Sequence, residues 1–323
     1  MRKLLLGTTA LAAAATLTAN AALADVSISG AAEWSYNSRS SNLAANDGTS
    51  FGTDTDMTIN FTNKTDSGLD ITYRVDFDTD PGDGGAFGAD ETSISIAGGF
   101  GKIVLGFDDD AADAYNIDES DIIAEDAAPA AMSATIGTSS SISSDDANKV
   151  AYHLPAMGGL TAGVSHTDRG AVGGTDTTSY GAKYAMEAAG ASITLGYAVV
   201  ADENSTQDVD MENMGMKIVS GDISMIISQG GTESNDEDIH NVGASISYKM
   251  PNGMTVGAYT FKSEDDLDAG EEYSRSGAEV QYTIASGLTA VINVDDYDYK
   301  NGSSDAAAAD SGTNTKLTIK AAF

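Results

Sequence analysis

The chain's 323 residues carry 49 Asp and Glu against 16 Lys and Arg, a formal net charge of −33. That balance disfavours nucleic acid and anionic headgroups as partners and makes cations the natural counter-species. Cysteine is absent, which excludes a disulfide framework, thiol catalysis and thiolate metal sites.

At the amino terminus Arg2 and Lys3 precede an apolar run from Leu4 to Leu17 and the small-x-small site Ala22-Leu23-Ala24. This order predicts a secretory signal peptide over residues 1–24, cleaved near Ala24, followed by one domain over 25–323. No later stretch approaches ~18 consecutive apolar residues, so only strands can carry this chain across a membrane.

From Val26 onward the apolar residues fall at every second position, the period of a strand with one apolar and one polar face. After a first segment, Val26 to Tyr36, Met57, Ile59 and Phe61 share one face of the second. In the third, Leu69, Ile71, Tyr73, Val75 and Phe77 oppose Asp70, Thr72, Arg74 and Asp76. Val150, Tyr152 and Leu154 oppose Lys149, Ala151 and His153. Further on, Ile193, Leu195, Tyr197 and Val199 oppose Ser192, Thr194, Gly196 and Ala198. The tenth segment, Asp210 to Ser220, and the thirteenth, Met254 to Ser263, keep the period less cleanly, which predicts bulges there. Between them Val242, Ala244, Ile246, Tyr248 and Met250 form another apolar face, and Glu272 to Ile284 alternates likewise.

The connections alternate as well. Seven short Gly-rich turns, among them Gly98-Gly99-Phe100-Gly101 and Pro251-Asn252-Gly253, are separated by eight longer acidic loops. Tight hairpins need positive φ, hence the glycines. Short turns at one rim and long loops at the other predict an all-β fold, a transmembrane antiparallel β-barrel of 16 strands, with both chain ends on the short-turn side. Closure satisfies every strand edge in hydrocarbon, and a barrel this wide holds an aqueous channel. Tyr36, Tyr184, Tyr197, Tyr248, Tyr273 and Tyr297 lie near segment ends, where interfacial girdles sit.

The longest loop, about 108–147, carries Asp108, Asp109, Asp110, Asp113, Asp118, Glu119, Asp121, Glu125 and Asp126, with no Lys or Arg before Lys149. A solvated surface loop and an inward carboxylate wall both fit this composition. Parity places Arg74, Lys149, Lys183, Lys249, Arg275, Lys316 and Lys320 on the inner face. Asp78, Asp80 and Asp83 offer hard oxygens suited to Ca²⁺, without EF-hand spacing, and no cofactor is required. His153, His166 and His240 lack metal-ligand spacing, and nothing distinguishes a catalytic acid pair, so an enzyme is not expected. Gly98 to Lys102 superficially evokes a phosphate loop, but Ile96 and Ile103 occupy the positions of its first Gly and its Ser or Thr.

Gly98-Gly99-Phe100-Gly101-Lys102-Ile103-Val104-Leu105-Gly106 resembles a porin turn into strand five. Asn148-Lys149-Val150-Ala151-Tyr152-His153-Leu154-Pro155, followed by Gly159-Leu160, resembles the strand after a porin's constriction loop. The whole layout is similar to the Gram-negative general porins, nearest the alphaproteobacterial type. The resemblance implies a homotrimer in outer-membrane lipid, a loop folded into the pore, and passive diffusion of small hydrophilic solutes. It sets basic residues opposite that loop, with Arg74, Lys316 and Lys320 the best candidates and Lys149 and Lys183 beside them. The alternating terminal segment Thr315 to Phe323 ends on an aromatic residue, which resembles the substrates of the barrel-insertion machinery. One departure stands out: Phe107 follows Gly106 where porins commonly carry a basic or polar residue, which implies a weaker transverse field. The chain's large net negative charge gives an expected cation preference. The alternatives are a secreted β-sandwich or surface-layer protein and a substrate-specific channel.

Overall fold

The computed structural model describes residues 25–78, 88–124, 136, 139–142, 147–168, 176–203, 208–268, 270–300 and 309–323. The signal-peptide reading falls outside these.

Sixteen antiparallel strands form one closed barrel in sequence order. The first eight are β1 (Asp25–Ser41), β2 (Gly48–Lys64), β3 (Asp70–Asp78), β4 (Gly88–Gly98), β5 (Gly101–Asp108), β6 (Ala147–His153), β7 (Leu160–Thr167) and β8 (Asp176–Ala188). The rest are β9 (Ala191–Glu203), β10 (Val209–Ser220), β11 (Ile223–Glu233), β12 (Asp238–Lys249), β13 (Met254–Asp265), β14 (Glu272–Ala285), β15 (Leu288–Lys300) and β16 (Asp310–Ala322). β1 and β16 close the seam in register from Ala31 opposite Ala322 to Ser41 opposite Gly312. Phe323 and Gly30 exchange backbone hydrogen bonds of 2.9 and 3.3 Å at its end. No strand edge is left for lipid to meet.

Alternation decides which face is which. Leu195, Met214, Ile227, Val242 and Ile246 are exposed on the outside, while Ser165, Ser179, Asn213, Ser228 and Ser245 are buried on the inside. This inverts a soluble protein's pattern, as a barrel solvated by lipid requires.

Three details differ from the sequence reading. β1 runs on past Tyr36 and pairs with β2 as far as Arg39 opposite Gly48, so their loop is only the residues between Ser41 and Gly48. β10 and β13 pair without a register shift; the irregularities fall between β3 and β4 at Asp76/Phe77 and between β14 and β15 at Thr283/Ala285. The period of β10 and β13 looked broken because Met211, Tyr259 and Phe261 point inward beneath the long loop, while Glu212, Lys262 and Glu264 point outward at the long-loop rim. Tyr184, Tyr197 and Tyr248 do face outward, but Tyr273 and Tyr297 are buried on the inner face and belong to no girdle.

Candidate pore constriction

Beyond β5 the chain turns into the barrel and follows its inner wall. Asp110 opens this arm by accepting from the Asp113 N–H at 3.1 Å. The Ala111 and Ala112 N–H groups donate to Ser165 Oγ and Ser179 Oγ, at 2.9 and 3.2 Å, on β7 and β8. Two 3-10 turns follow, Asp113–Tyr115 and Glu119–Ile122. Between them, Asn213 of β10 accepts from the Ile117 N–H at 3.2 Å. Its own amide donates to the carbonyls of Ile117 and Ser140, at 3.2 and 2.7 Å. At the far end the Ala124 N–H donates to Glu279 Oε1 at 2.8 Å, and its carbonyl accepts from Lys320 Nζ at 2.9 Å. The arm thus crosses from β5 to β14 and β16.

The wall makes room for it by omitting side chains. A Cβ at Gly163, Gly181, Gly196 or Gly257 would come within 2.6–2.9 Å of Tyr115, Ile117 or Ile123, and at Gly215 or Gly243 it would collide outright with Ile117 or Glu119. These six glycines lie on the polar-face parity of β7 to β10, β12 and β13, and form a groove for the backbone. The returning residues lie against the same wall. Ser140 packs by Gly230, Ile142 joins Ala112, Tyr115, Ala198 and Val200, and Ile136 joins Phe261, Tyr273, Tyr297 and Tyr299.

The loop carboxylates divide by environment. Asp109, Asp113 and Asp121 are exposed and Asp108 is half-buried, while Asp110, Asp118 and Glu119 are buried; Glu125 and Asp126 lie outside the described residues. Asp118 caps the second turn, accepting from the Ser120 N–H at 2.7 Å. Glu119 is sealed against the wall. It accepts from Ser140 Oγ at 2.7 Å and Ser228 Oγ at 3.2 Å, and stands 3.9 Å from Arg275, whose guanidinium lies over the Tyr259 and Phe261 rings. Burial raises the Glu119 pKa against the opposing effect of the Ser140 hydrogen bond and, more weakly, Arg275. Enclosure within the barrel also raises Asp113, helped by Asp109 and Asp110, and Asp121, helped by Asp118; Lys183 opposes both shifts and Lys217 opposes that of Asp121. These two lysines stand on β8 and β10 under the loop.

Across the lumen, three of the expected wall cations have local carboxylates. Arg74 pairs with Asp76, with Glu91 at 3.4 Å and with Asp108 at 3.9 Å. Lys316 and Lys320 share Glu33, at 3.5 and 3.3 Å. Lys149 is buried with no hydrogen-bond partner among the described residues, and Lys249 is exposed near the short-turn rim. Phe107, whose position beside Gly106 suggested a weak field, alternates with inward Gly106 and Asp108 and so sits on the outer face. Asp78 gathers with Asp54 and Asp56 of β2, their carboxylate oxygens within 4.8 Å of one another and all three residues exposed. Asp80 and Asp83 lie outside the described residues.

Sequence reasoning missed the groove glycines, the Asn213 bracket, the Ser165, Ser179 and Ser228 contacts and the Glu279 staple. The detectable signal was glycine recurring at inward parity on one strand after another.

The family model described as "Gram-negative porin" matches residues 7–323. The chain belongs to the Gram-negative porins. No curated protein sequence matches it. Solved structures share its fold. The anion-selective porin from Comamonas acidovorans has TM-score 0.69 and 15% identity, over 93% of this chain and all of that one. OmpT of Vibrio cholerae in its trimer form has TM-score 0.69 and 14% identity, over 93% and 99%. A mutant of the Rh. blastica porin has TM-score 0.63 and 15% identity, over 92% and 100%. The porin is therefore an outer-membrane channel, its lumen narrowed on one side by the docked loop.

Proposed function

We propose that this porin is a passive, cation-preferring diffusion pore for small hydrophilic solutes, working as a homotrimer after removal of residues 1–24 near Ala24. It performs no covalent chemistry; selection is by size at the docked loop and by charge along the lumen. The observation that carries the cation preference is the local pairing of the three cations expected opposite the loop. Arg74, Lys316 and Lys320 have carboxylates beside them, whereas Asp109, Asp113 and Asp121 on the loop and Asp54, Asp56 and Asp78 on the wall stay open to water. A low-dielectric surround magnifies such an imbalance. The anion-selective relative shares the fold at 15% identity, and selectivity resides in side chains that a fold does not specify.

Reconstitution into liposomes tests the reading. Swelling rates should fall smoothly with sugar size and not saturate with any one solute. Saturation by a single solute class would indicate a dedicated binding channel, and a chain folded in buffer without detergent would exclude a channel altogether.

A further inference from the structure

Outside the lumen, at the long-loop rim, Asp238, His240 and Asp266 bring three ligand atoms together, all within 4.8 Å of one another. His240 Nε2 lies 3.4 Å from Asp238 Oδ1 and 3.6 Å from Asp266 Oδ2. Tetrahedral ligands at about 2.0–2.1 Å from a metal stand roughly 3.3–3.5 Å apart, so these two separations are close to ligand edges.

Secondary structure sets this arrangement. His240 is exposed on β12 between buried Ile239 and Asn241, which puts it on the outer face. Asp266 follows β13, the neighbouring strand, and its N–H donates to the Asp238 carbonyl at 2.9 Å. Asp265, just before it, accepts from the Asp238 N–H at 3.2 Å and the Leu267 N–H at 2.8 Å. The backbone carrying two of the three ligands is thereby tied across the strand pair, beyond its last rung at Ile239 and Asp265. Beside the cluster is a hollow of 370 Å³ lined in part by Asp210, Glu212 and Glu233, which leaves water room to complete a coordination shell and adds negative potential.

We propose that Asp238, His240 and Asp266 form a divalent transition-metal site, with Zn²⁺ as the representative ion, clamping β12 to the loop after β13 on the outside of the barrel. One imidazole nitrogen and two carboxylates suit such an ion better than Ca²⁺, which prefers an all-oxygen shell. The site is separate from the lumen, so it stands whether or not the pore prefers cations.

The test is calorimetric titration of ZnCl2 into the detergent-solubilised porin, purified without a histidine tag, with CaCl2 as competitor. We expect one Zn²⁺ per chain that excess Ca²⁺ does not displace. His240→Ala and Asp266→Asn should each weaken it at least about tenfold, while His166→Ala leaves it unchanged. Heat-modifiable migration in SDS gels confirms that each variant is folded. No zinc uptake by the wild type would overturn the proposal and leave His240 a surface neighbour of its two carboxylates. Equal affinity in His240→Ala, or ready displacement by Ca²⁺, would overturn it too.

Discussion

Ala189 is the non-glycine residue with positive φ among the described residues, at 52°, in the turn from β8 to β9. An L-residue pays roughly 1–2 kcal/mol in that region and glycine does not. Ala189→Gly should therefore raise the urea midpoint of the detergent-folded porin, by about 1 kcal/mol of stability; an unchanged or lower midpoint contradicts this. Asn213 carries more, since one amide holds Ile117 and Ser140. Asn213→Leu leaves three backbone groups without it, each a loss of about 1–3 kcal/mol if no water replaces it. Asp113 and Asp121 predict a pH effect. Their pKa values are raised, so as pH falls they lose charge sooner than ordinary carboxylates. Cation preference should begin to decline above the usual carboxylate range, and Asp113→Asn with Asp121→Asn should remove that early decline in bilayer titrations. The acidity of these residues was legible in the sequence, but their division was not. Burial of Asp118 and Glu119 depends on where the loop lands, and that is set by residues far along the chain, Asn213 and Ser228 among them.

At the scale of the element, the strands were readable because period two is a local property imposed by lipid on one side and water on the other. The reading faltered at β10 and β13, where part of the inner face meets the apolar Tyr115, Ile142 and Ile136 instead of water. The loop's docking is non-local and was invisible as periodicity, though the inward glycines that receive it stand in plain sight. They give a direct prediction. Gly215→Val forces a side chain into Ile117, which should release the arm while the barrel stays closed. Tyr115, buried in the docked state, then becomes a chymotrypsin site, and cleavage after it with retained heat-modifiable migration is the expected result. Protection equal to wild type would mean the groove does not hold the loop.

For the molecule as a whole, closure and docking act together. The barrel removes every strand edge from lipid, and the loop, stapled to β14 by Glu279 and to β16 by Lys320, narrows the lumen against a wall where Arg74, Lys316 and Lys320 already have carboxylate partners. The net charge of −33 pointed toward cations from the outset, but its effect on permeation depends on which charges face the lumen, and the sequence could not say which cations were locally paired. The reversal potential across a planar bilayer under a KCl gradient measures that outcome. The wild type should show the sign of K⁺ preference, and Asp54→Asn, Asp56→Asn and Asp78→Asn combined with Asp113→Asn and Asp121→Asn should move the potential toward zero. A wild-type potential of the opposite sign, with Cl⁻ the more permeant ion, would contradict the account.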